Sequence, residues 1–355
     1  MEGANPSKIN VRGAVIMDSK ERFHLTIDRK PVDRNATWLG YPDEDALPGL
    51  FSYFGVNILE ELKIKIDDDI WPVDVPYSSP YGNHIAGAFD FRQDKSVDKH
   101  QTLTDPGFFE HYSDPAEVDN FEWPDPARYI DREESLRRVK AIPNDKIAMG
   151  MMWSAHFQDA CSAFGMETAL VKMYTEPEMF KAVLDRITKF YLEANAVFYE
   201  ATKGDLDAVL IGNDFGTQTG SLVEPSLVEQ LVLPGTTLLV EQAHAFGLKV
   251  MHHSCGSVFD LIPGIIKTGA DVIHPIQALA KNMEPWRLKD NFGDQVAFCG
   301  GVDAQELLIN GTPEMIRNKV NELKTIFPTG LVISPSHEAI LPDINPANIE
   351  AVFVK

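Results

Sequence analysis

The alternation of short apolar runs with longer amphipathic stretches constrains the fold of this chain more than any other feature. The runs are rich in apolar and β-branched residues, as buried strands are, and the stretches between them have helical spacing of apolar positions. Six clear runs lie at residues 146–153, 206–214, 248–254, 270–275, 295–301 and 330–336. Strands that alternate with helices in this way predict βα units and a parallel sheet.

Two weaker strand candidates lie upstream, at residues 36–41 and 62–67. With them the chain has enough strands for an α/β fold of the (β/α)8 or TIM-barrel type, although a doubly wound open sheet fits the six clear units nearly as well. No candidate strand is followed by Gly-x-Gly-x-x-Gly or by Gly-x-x-x-x-Gly-Lys, which disfavours nucleotide binding.

Residues 67–145 differ from the rest of the chain in composition, since they are rich in Asp, Pro and aromatic residues and have little periodicity. Long irregular segments in compact domains are often lids or binding loops. We therefore expect a long irregular N-terminal insertion over the barrel mouth, within a single domain that spans residues 1–355. The run Asp67-Asp68-Asp69 is expected to be a solvated loop rather than an acidic catalytic cluster.

Charge and cysteine content limit the partners and the compartment. The chain has 32 basic and 53 acidic residues and a net charge of −21, so nucleic acid and anionic membrane surfaces are poor partners. Its three cysteines are too few and too scattered for a disulfide framework. With no secretory signal or membrane span evident, we expect a cytoplasmic protein. Its oligomeric state is open, with a homodimer among the assemblies considered.

Polar side chains follow the clear strands at the points where the strands end. In parallel α/β folds these ends form the active site, so the clustering predicts an enzyme. The candidate residues are Trp153, Ser154, His156, Asn213, Asp214, His253, Cys255, His274, Gln277, Cys299, Asp303, Ser336, His337 and Glu338.

His253 and Cys255 are separated by one residue, which places both side chains on the same face of an extended strand. Imidazole and thiolate are zinc ligands, and His337 and Cys299 are candidates for a third ligand. A His-x-Cys pair also arises by chance, and a buried cysteine is common. Asp214 fits a general base or substrate anchor about as well as a cap of the following turn.

These residues carry a resemblance to the uroporphyrinogen decarboxylase superfamily. It depends on HSCGSVFDLIPGIIKTGADVIHPIQ, FCGGVDAQELLINGTPEMIRNKV and ISPSHEAILPDINPANIEAV, and covers roughly residues 145–355. The resemblance implies a (β/α)8 barrel and either of two chemistries. True decarboxylases have an arginine-rich segment after the first strand, whereas this chain has ATWLGYPDEDALPG, which lacks arginine. A substrate with many carboxylates needs arginine partners.

The other branch contains corrinoid-dependent methyltransferases, which bind zinc through a His-x-Cys pair and a later cysteine. The chain matches the pair as His253 and Cys255, but SPSHEAILPD has His337 or Glu338 where the later cysteine is expected. The resemblance implies a Zn²⁺ site of His253, Cys255 and His337, with Cys299 as the alternative third ligand.

The leading hypothesis is a methyltransferase or demethylase. It would move a methyl group between a small methylated substrate and a corrinoid (cobalamin) on a separate corrinoid-binding protein. Asp214 and His337 are the predicted catalytic residues. The predicted substrate contacts are Trp153, His156, Phe157, Asn213, Gln277 and Glu338. One alternative is a metal-free decarboxylase of a small carboxylate or tetrapyrrole that uses His337, and another is a non-catalytic barrel that binds a small molecule.

Overall fold

A sheet of seven parallel strands organises the fold in the computed structural model, which describes residues 8–9, 15–93 and 102–353. All strands of the described residues, including those outside this sheet, are β1 (Lys8–Ile9), β2 (Val15–Ile16), β3 (Tyr41–Pro42), β4 (Ile70–Asp74), β5 (Ile147–Trp153), β6 (Ala208–Gly212), β7 (Lys249–His253), β8 (Val272–Ile276), β9 (Ala297–Val302), β10 (Leu331–Pro335) and β11 (Ala339–Ile340). The large sheet has the order β10–β9–β8–β7–β6–β5–β4. β1 pairs with β2, and β11 pairs with β3 in parallel.

Helices follow most strands of the sheet. They are α1 (Ser19–Ile27), α2 (Leu47–Phe54), α3 (Leu59–Lys65), α4 (Arg132–Lys140), α5 (His156–Phe164), α6 (Met166–Thr175), α7 (Pro177–Ala201), α8 (Pro225–Leu227), α9 (Leu233–Ala245), α10 (Ile262–Lys267), α11 (Pro285–Phe292), α12 (Leu307–Asn310), α13 (Pro313–Ile326) and α14 (Pro346–Phe353). Shorter 3-10 turns span Ile85–Gly87, Pro115–Asn120, Pro126–Arg128 and Phe259–Leu261, and a π-helical turn spans Val228–Val232. No helix of the described residues is long and apolar enough to cross a membrane.

The six clear strand predictions are confirmed as β5 to β10. The prediction of a strand at 62–67 is wrong, because α3 covers most of it. In that segment Leu59, Leu62 and Ile66 have helical spacing, and Leu, Glu and Lys are good helix formers. The missing strand is β4, whose residues 70–74 fall inside the predicted irregular insertion. That insertion is therefore in part a strand of the sheet, and it also contains α4.

The sheet curls so that its two edge strands approach the same segment of chain. Thr37 pairs with Ile333 of β10 through a single parallel bridge. On the other side, the amide of Asp69, just before β4, donates to the carbonyl of Thr37 at 3.2 Å. A continuous eighth strand that closes a barrel is not seen among the described residues, so the predicted strand at 36–41 is reduced to this bridge and to β3.

The concave face of the sheet holds a separate apolar core. It takes side chains from all seven strands, from the 36–38 segment and from α1. Its buried members are Phe23, Ile27, Ala36, Trp38, Ile70, Ile147, Met149, Met151, Ala208, Leu210, Met251, Val272, Ala297, Cys299 and Val332. Because this interior is filled, a ligand has access only to an end of the sheet.

A buried charge network lies at the amino end of β4. Asp69 is fully buried and accepts hydrogen bonds from Arg22 at 2.7 Å and from Arg34 at 2.6 Å. It also accepts from the Thr37 amide at 2.9 Å. The expectation of a solvated acidic loop is wrong for Asp68 and Asp69, because both side chains are paired and buried. Their place at the amino ends of the strands is typical of residues that stabilise the fold.

Candidate metal centre and adjoining cavity

Side chains that could bind a metal meet near the carboxyl ends of four strands. His253 ends β7, and the sheet register places it directly beside His274 of β8. His337 and Glu338 follow the end of β10, and Cys255 lies two residues beyond β7. With Asp214, which follows β6, these residues are called the donor cluster below.

Short distances connect the donor cluster through His253. Its Nε2 lies 3.3 Å from the Cys255 Sγ and 3.3 Å from Oδ1 of Asp214. Its Nδ1 lies 2.9 Å from Nδ1 of His274 and 3.6 Å from Oε2 of Glu338. The imidazole is only 4% exposed, so these contacts form away from bulk water.

The donor cluster contains three overlapping sets of potential metal ligands, each with its ligand atoms within 4.8 Å of one another. The sets are Asp214 with His253 and Cys255, His253 with His274 and Glu338, and Cys255 with His337 and Glu338. Imidazole, thiolate and carboxylate together are the donors that zinc prefers.

One oxygen in the cluster lacks a hydrogen bond. Oε2 of Glu338 is buried and has no hydrogen-bond partner among the described residues. It lies 3.7 Å from Nδ1 of His337 as well as near His253. A buried carboxylate oxygen is costly to leave unpaired, and a bound cation between these donors would satisfy it. The residues therefore fit a metal ion.

Hydrogen bonds and charges within the cluster shift the pKa values of its members. Burial by itself lowers the pKa of His253, but its hydrogen bonds to Asp214 and Cys255 and the charge of Glu338 raise that pKa well above its ordinary value. Burial by itself raises the pKa of Cys255, but hydrogen bonds to His253 and His337 lower it overall. A thiol with a lowered pKa is readily converted to the thiolate that binds metals.

Asp214 and Gln277 hold the turn that carries Cys255. Asp214 Oδ1 accepts from the Cys255 amide at 3.1 Å, and Gln277 Oε1 accepts from the Gly256 amide at 2.7 Å. Burial opposes ionisation of Asp214, yet its bonds to His253 and Cys255 lower its pKa to about 2. The hydrogen bond from the Cys255 amide fits an anchoring role for Asp214, and its role as a general base stays a prediction.

Three residues predicted to contact substrate are buried. His156 is buried, and its ring nitrogens lie 3.0 Å from the Ser154 carbonyl and 3.3 Å from the Val232 carbonyl. Asn213 Oδ1 accepts from the amide of Phe157 at 2.8 Å and thereby fixes the start of α5. Phe157 is part of the main apolar core.

Cys299, the alternative third ligand, lies in the concave-face core and belongs to none of the potential metal sets. Burial raises the pKa of its thiol, which opposes the thiolate form that metals bind. His337 does belong to such a set, with Cys255 and Glu338. Glu338, predicted only as a substrate contact, belongs to two sets and emerges as a stronger ligand candidate.

A cavity of about 440 Å³ opens beside the donor cluster. It is lined by Tyr41, Asp74, His84, Ala86, Trp153, Glu338 and Ala339. Glu338 thus belongs to both the cavity and the cluster, and the Trp153 ring lies edge-on to His253 at 5.5 Å between centroids. The predicted contact residues Trp153 and Glu338 line this space.

Sequence reasoning missed Tyr41 and Asp74 as site residues. It listed His274 among the strand-end candidates but gave it no ligand role, whereas the β7–β8 register makes it the direct neighbour of His253. Tyr41 reaches the cavity because β3 pairs with β11, which follows Glu338. A signal was present for Asp74, which ends an apolar run, but that run was read as part of the irregular insertion.

Comparison with known proteins relates the chain to one family. A model of the family described as Uroporphyrinogen decarboxylase (URO-D) matches residues 96–354. The methylated-thiol–coenzyme M methyltransferase of Methanosarcina mazei is 24% identical over 169 residues, which are 48% of this chain and 42% of that protein. The chain thus aligns with less than half of that relative's length.

A solved structure of a methyltransferase from Methanosarcina mazei has the same fold. Its TM-score is 0.65 at 15% identity, and the match covers 95% of this chain and 97% of the other. Likeness at this identity concerns the fold and leaves the chemistry to the site. Because the family match extends over most of the chain, including every strand of the large sheet except β4, the chain belongs to the uroporphyrinogen decarboxylase (URO-D) family.

Proposed function

We propose that the protein is a metal-assisted methyltransferase. It moves a methyl group between a small methylated substrate and a corrinoid carried by a partner protein. The donor cluster carries this proposal, because it combines imidazole, thiol and carboxylate donors beside a cavity of small-molecule size. The relative named as a methylated-thiol methyltransferase supports the same reaction class. We take the fold as a (β/α)8 barrel in which residues 36–38 occupy the eighth strand position.

His253, Cys255 and Glu338 are the proposed metal ligands, with His337 as a further or exchangeable ligand. His253 lies 3.3 Å from the Cys255 Sγ and 3.6 Å from Oε2 of Glu338. Cys255 and Glu338 also belong to one ligand set, together with His337. A bound zinc ion would supply Lewis-acid chemistry, either by polarising the donor heteroatom or by stabilising a thiolate.

The remaining residues position and enclose the substrate. Asp214 and Gln277 fix the turn that presents the Cys255 thiol. Trp153 lines the cavity and contacts His253 edge-on, and we assign it the role of keeping water from the imidazole. His84 and Ala86, from the irregular part of residues 67–145, also line the cavity, which supports a role for this segment as a lid.

Methyl transfer requires no external oxidant or reductant. The donor heteroatom keeps the electron pair of the bond that breaks, and the acceptor supplies the pair of the new bond to carbon. Any change that makes the heteroatom a better leaving group speeds this step. Transfer requires a close approach by the acceptor, so the open end of the cavity is the proposed docking place of the corrinoid protein.

The cavity also weighs against decarboxylation of a tetrapyrrole. Within the described part of the chain, no Arg or Lys lines it, and two of the lining residues are carboxylates. A substrate with several carboxylates would lack the bidentate partners that such groups require.

Methyl transfer to reduced cobalamin tests the proposal. We expect the wild-type protein to methylate cob(I)alamin from at least one member of a panel of methylated thiols, amines and alcohols, as followed by absorbance. Cys255→Ala should lower the rate at least about a hundredfold if metal assistance supplies several kcal/mol. Cys161→Ala, which removes a buried core cysteine outside the cluster, should retain the rate. Equal rates for Cys255→Ala and wild type would refute the proposed role of the metal.

A further inference from the structure

Carboxylate and aromatic groups line the cavity beside the donor cluster, together with His84 and two alanines. Asp74 supplies a carboxylate that the proposed metal site does not use, and Tyr41 and Trp153 supply aromatic rings. Among the residues that the structure describes, no lysine or arginine lines it. A ring face and a carboxylate are the two groups that attract an organic cation most strongly in proteins.

One carboxylate oxygen of Asp74 is hydrogen-bonded, and the other is available to a ligand. The Tyr41 hydroxyl donates to Asp74 Oδ1 at 2.5 Å. Among the described residues, no hydrogen bond is made to the other carboxylate oxygen, Oδ2. Burial and the charge of Asp74 raise the pKa of Tyr41, so the phenol stays neutral and remains a donor.

A cation close to this pair, Arg138, is engaged elsewhere. Arg138 donates to Glu134 at 2.8 Å and to the backbone carbonyl of Asp74 at 3.2 Å, and it does not line the cavity. The side chain of Asp74 therefore has no salt-bridge partner among the described residues. The net charge of −21 further favours the approach of a cation over that of an anion.

Trp153 completes the cavity on the side of the donor cluster. It is the last residue of β5, and its ring lies edge-on to His253. The indole has the strongest cation–π interaction of the aromatic side chains. A cation that contacts this ring and the Asp74 carboxylate would also lie next to Glu338, within reach of the donor cluster.

We propose that the cavity binds the positively charged head group of a methylated ammonium compound, and that Asp74, Tyr41 and Trp153 select this class of methyl donor. The role as methyl donor rests on the proposed function, whereas binding of the cation does not. Loss of a methyl group from a quaternary ammonium leaves a neutral amine, because nitrogen keeps the electron pair of the broken bond. The reduced corrinoid supplies the pair of the new bond to carbon.

Three ligands of similar size but different charge test whether the cavity prefers a cation. Choline carries a quaternary ammonium, 3,3-dimethylbutan-1-ol is its neutral carbon isostere, and 2-mercaptoethanesulfonate is an anion. Titration calorimetry at fixed ionic strength should give choline a dissociation constant at least about tenfold lower than the other two. Equal affinity for choline and the neutral isostere, tighter binding of the anion, or no choline binding would overturn the inference.

Matched variants locate the binding site. Asp74→Asn keeps an acceptor for Tyr41 and should weaken choline about tenfold while leaving the neutral alcohol unchanged. Asp290→Asn, an exposed position on α11, makes the same change in net charge and should leave choline binding unaltered. Trp153→Leu should also weaken choline, whereas Trp286→Leu on the surface should not. Wild-type-like choline affinity in Asp74→Asn would contradict the assignment.

The same ligands separate this inference from the proposed function. Choline binding without methyl transfer to cob(I)alamin would leave the cation site standing and refute the choice of donor. Methyl transfer from neutral donors, without measurable choline binding, would leave the methyltransferase standing and remove the cation site.

Discussion

Replacing Asp69 by asparagine tests how the sheet is held together at its edge. The Asp69 side chain is fully buried and has two guanidinium partners, Arg22 and Arg34. It also accepts from the amide and hydroxyl of Thr37, at 2.9 and 3.2 Å, in the segment that bridges to β10. The asparagine keeps the shape but removes the charge and turns an NH₂ group towards donors.

The expected loss of stability depends on which ion pairs remain in the variant. Removing one partner of a buried ion pair costs about 3–5 kcal/mol, because the other charge stays buried. Arg22 keeps Asp33 at 2.8 Å, and Arg34 keeps Asp67 at 3.0 Å. We therefore expect a loss at the lower end, about 3 kcal/mol in the free energy of unfolding.

Urea denaturation followed by circular dichroism measures this loss. Asp294→Asn provides the control, because Asp294 pairs with Lys289 at 3.1 Å but its side chain is 98% exposed. The control should unfold at the wild-type urea concentration. If Asp69→Asn lost less than about 1 kcal/mol, the buried network would not stabilise the sheet edge as argued.

Three further predictions concern the site and its surroundings. Glu338→Gln should weaken zinc binding at least about tenfold in competition with a chromogenic chelator, and unchanged affinity would exclude Glu338 as a ligand. Burial, only partly opposed by a hydrogen bond from Tyr191, raises the pKa of Asp159 to about 7. Because this is above the unfolded value of about 3.9, the contribution of Asp159 to stability should fall as the pH rises from about 4 to 7. The difference in melting temperature between wild type and Asp159→Asn should change with pH accordingly, and a constant difference would contradict the raised pKa. In Gly212→Ala the new methyl group would clash with the His253 backbone, so stability should fall by about 1–3 kcal/mol, whereas Gly49→Ala, with open space around it, should be neutral.

Local sequence patterns were sufficient for the regular part of the fold. Apolar runs such as residues 208–212 give strands because both faces of the sheet are covered, and this burial leaves a strong signal. The amino end of α13 was equally readable, since Thr312 accepts from the Met315 amide as an N-cap. These features depend on residues close together in sequence.

The strand β4 could not be predicted in the same way. Pro72 interrupts its sequence, and a proline is tolerated here because β4 is the edge of the continuous ladder. The preceding run, Asp67 to Asp69, resembles a solvated loop until its distant partners Arg22 and Arg34 are known. Only the three-dimensional fold brings these charges together.

The candidate site was predictable in part for the same reason. His253 and Cys255 share a local spacing, so the sequence placed them together. His274 joined the cluster through strand register, and Tyr41 joined the cavity through pairing of β3 with β11. Strand register and long-range pairing have no local sequence signal.

Metal content is the most direct test of the central claim, that the donor cluster is a metal centre. Protein purified without chelator should contain about one zinc per chain by elemental analysis. Cys255→Ala should lose it, and Cys161→Ala and Cys299→Ala, whose cysteines lie in the two apolar cores, should retain it. Wild-type protein without bound metal, or undiminished zinc in Cys255→Ala, would contradict the account.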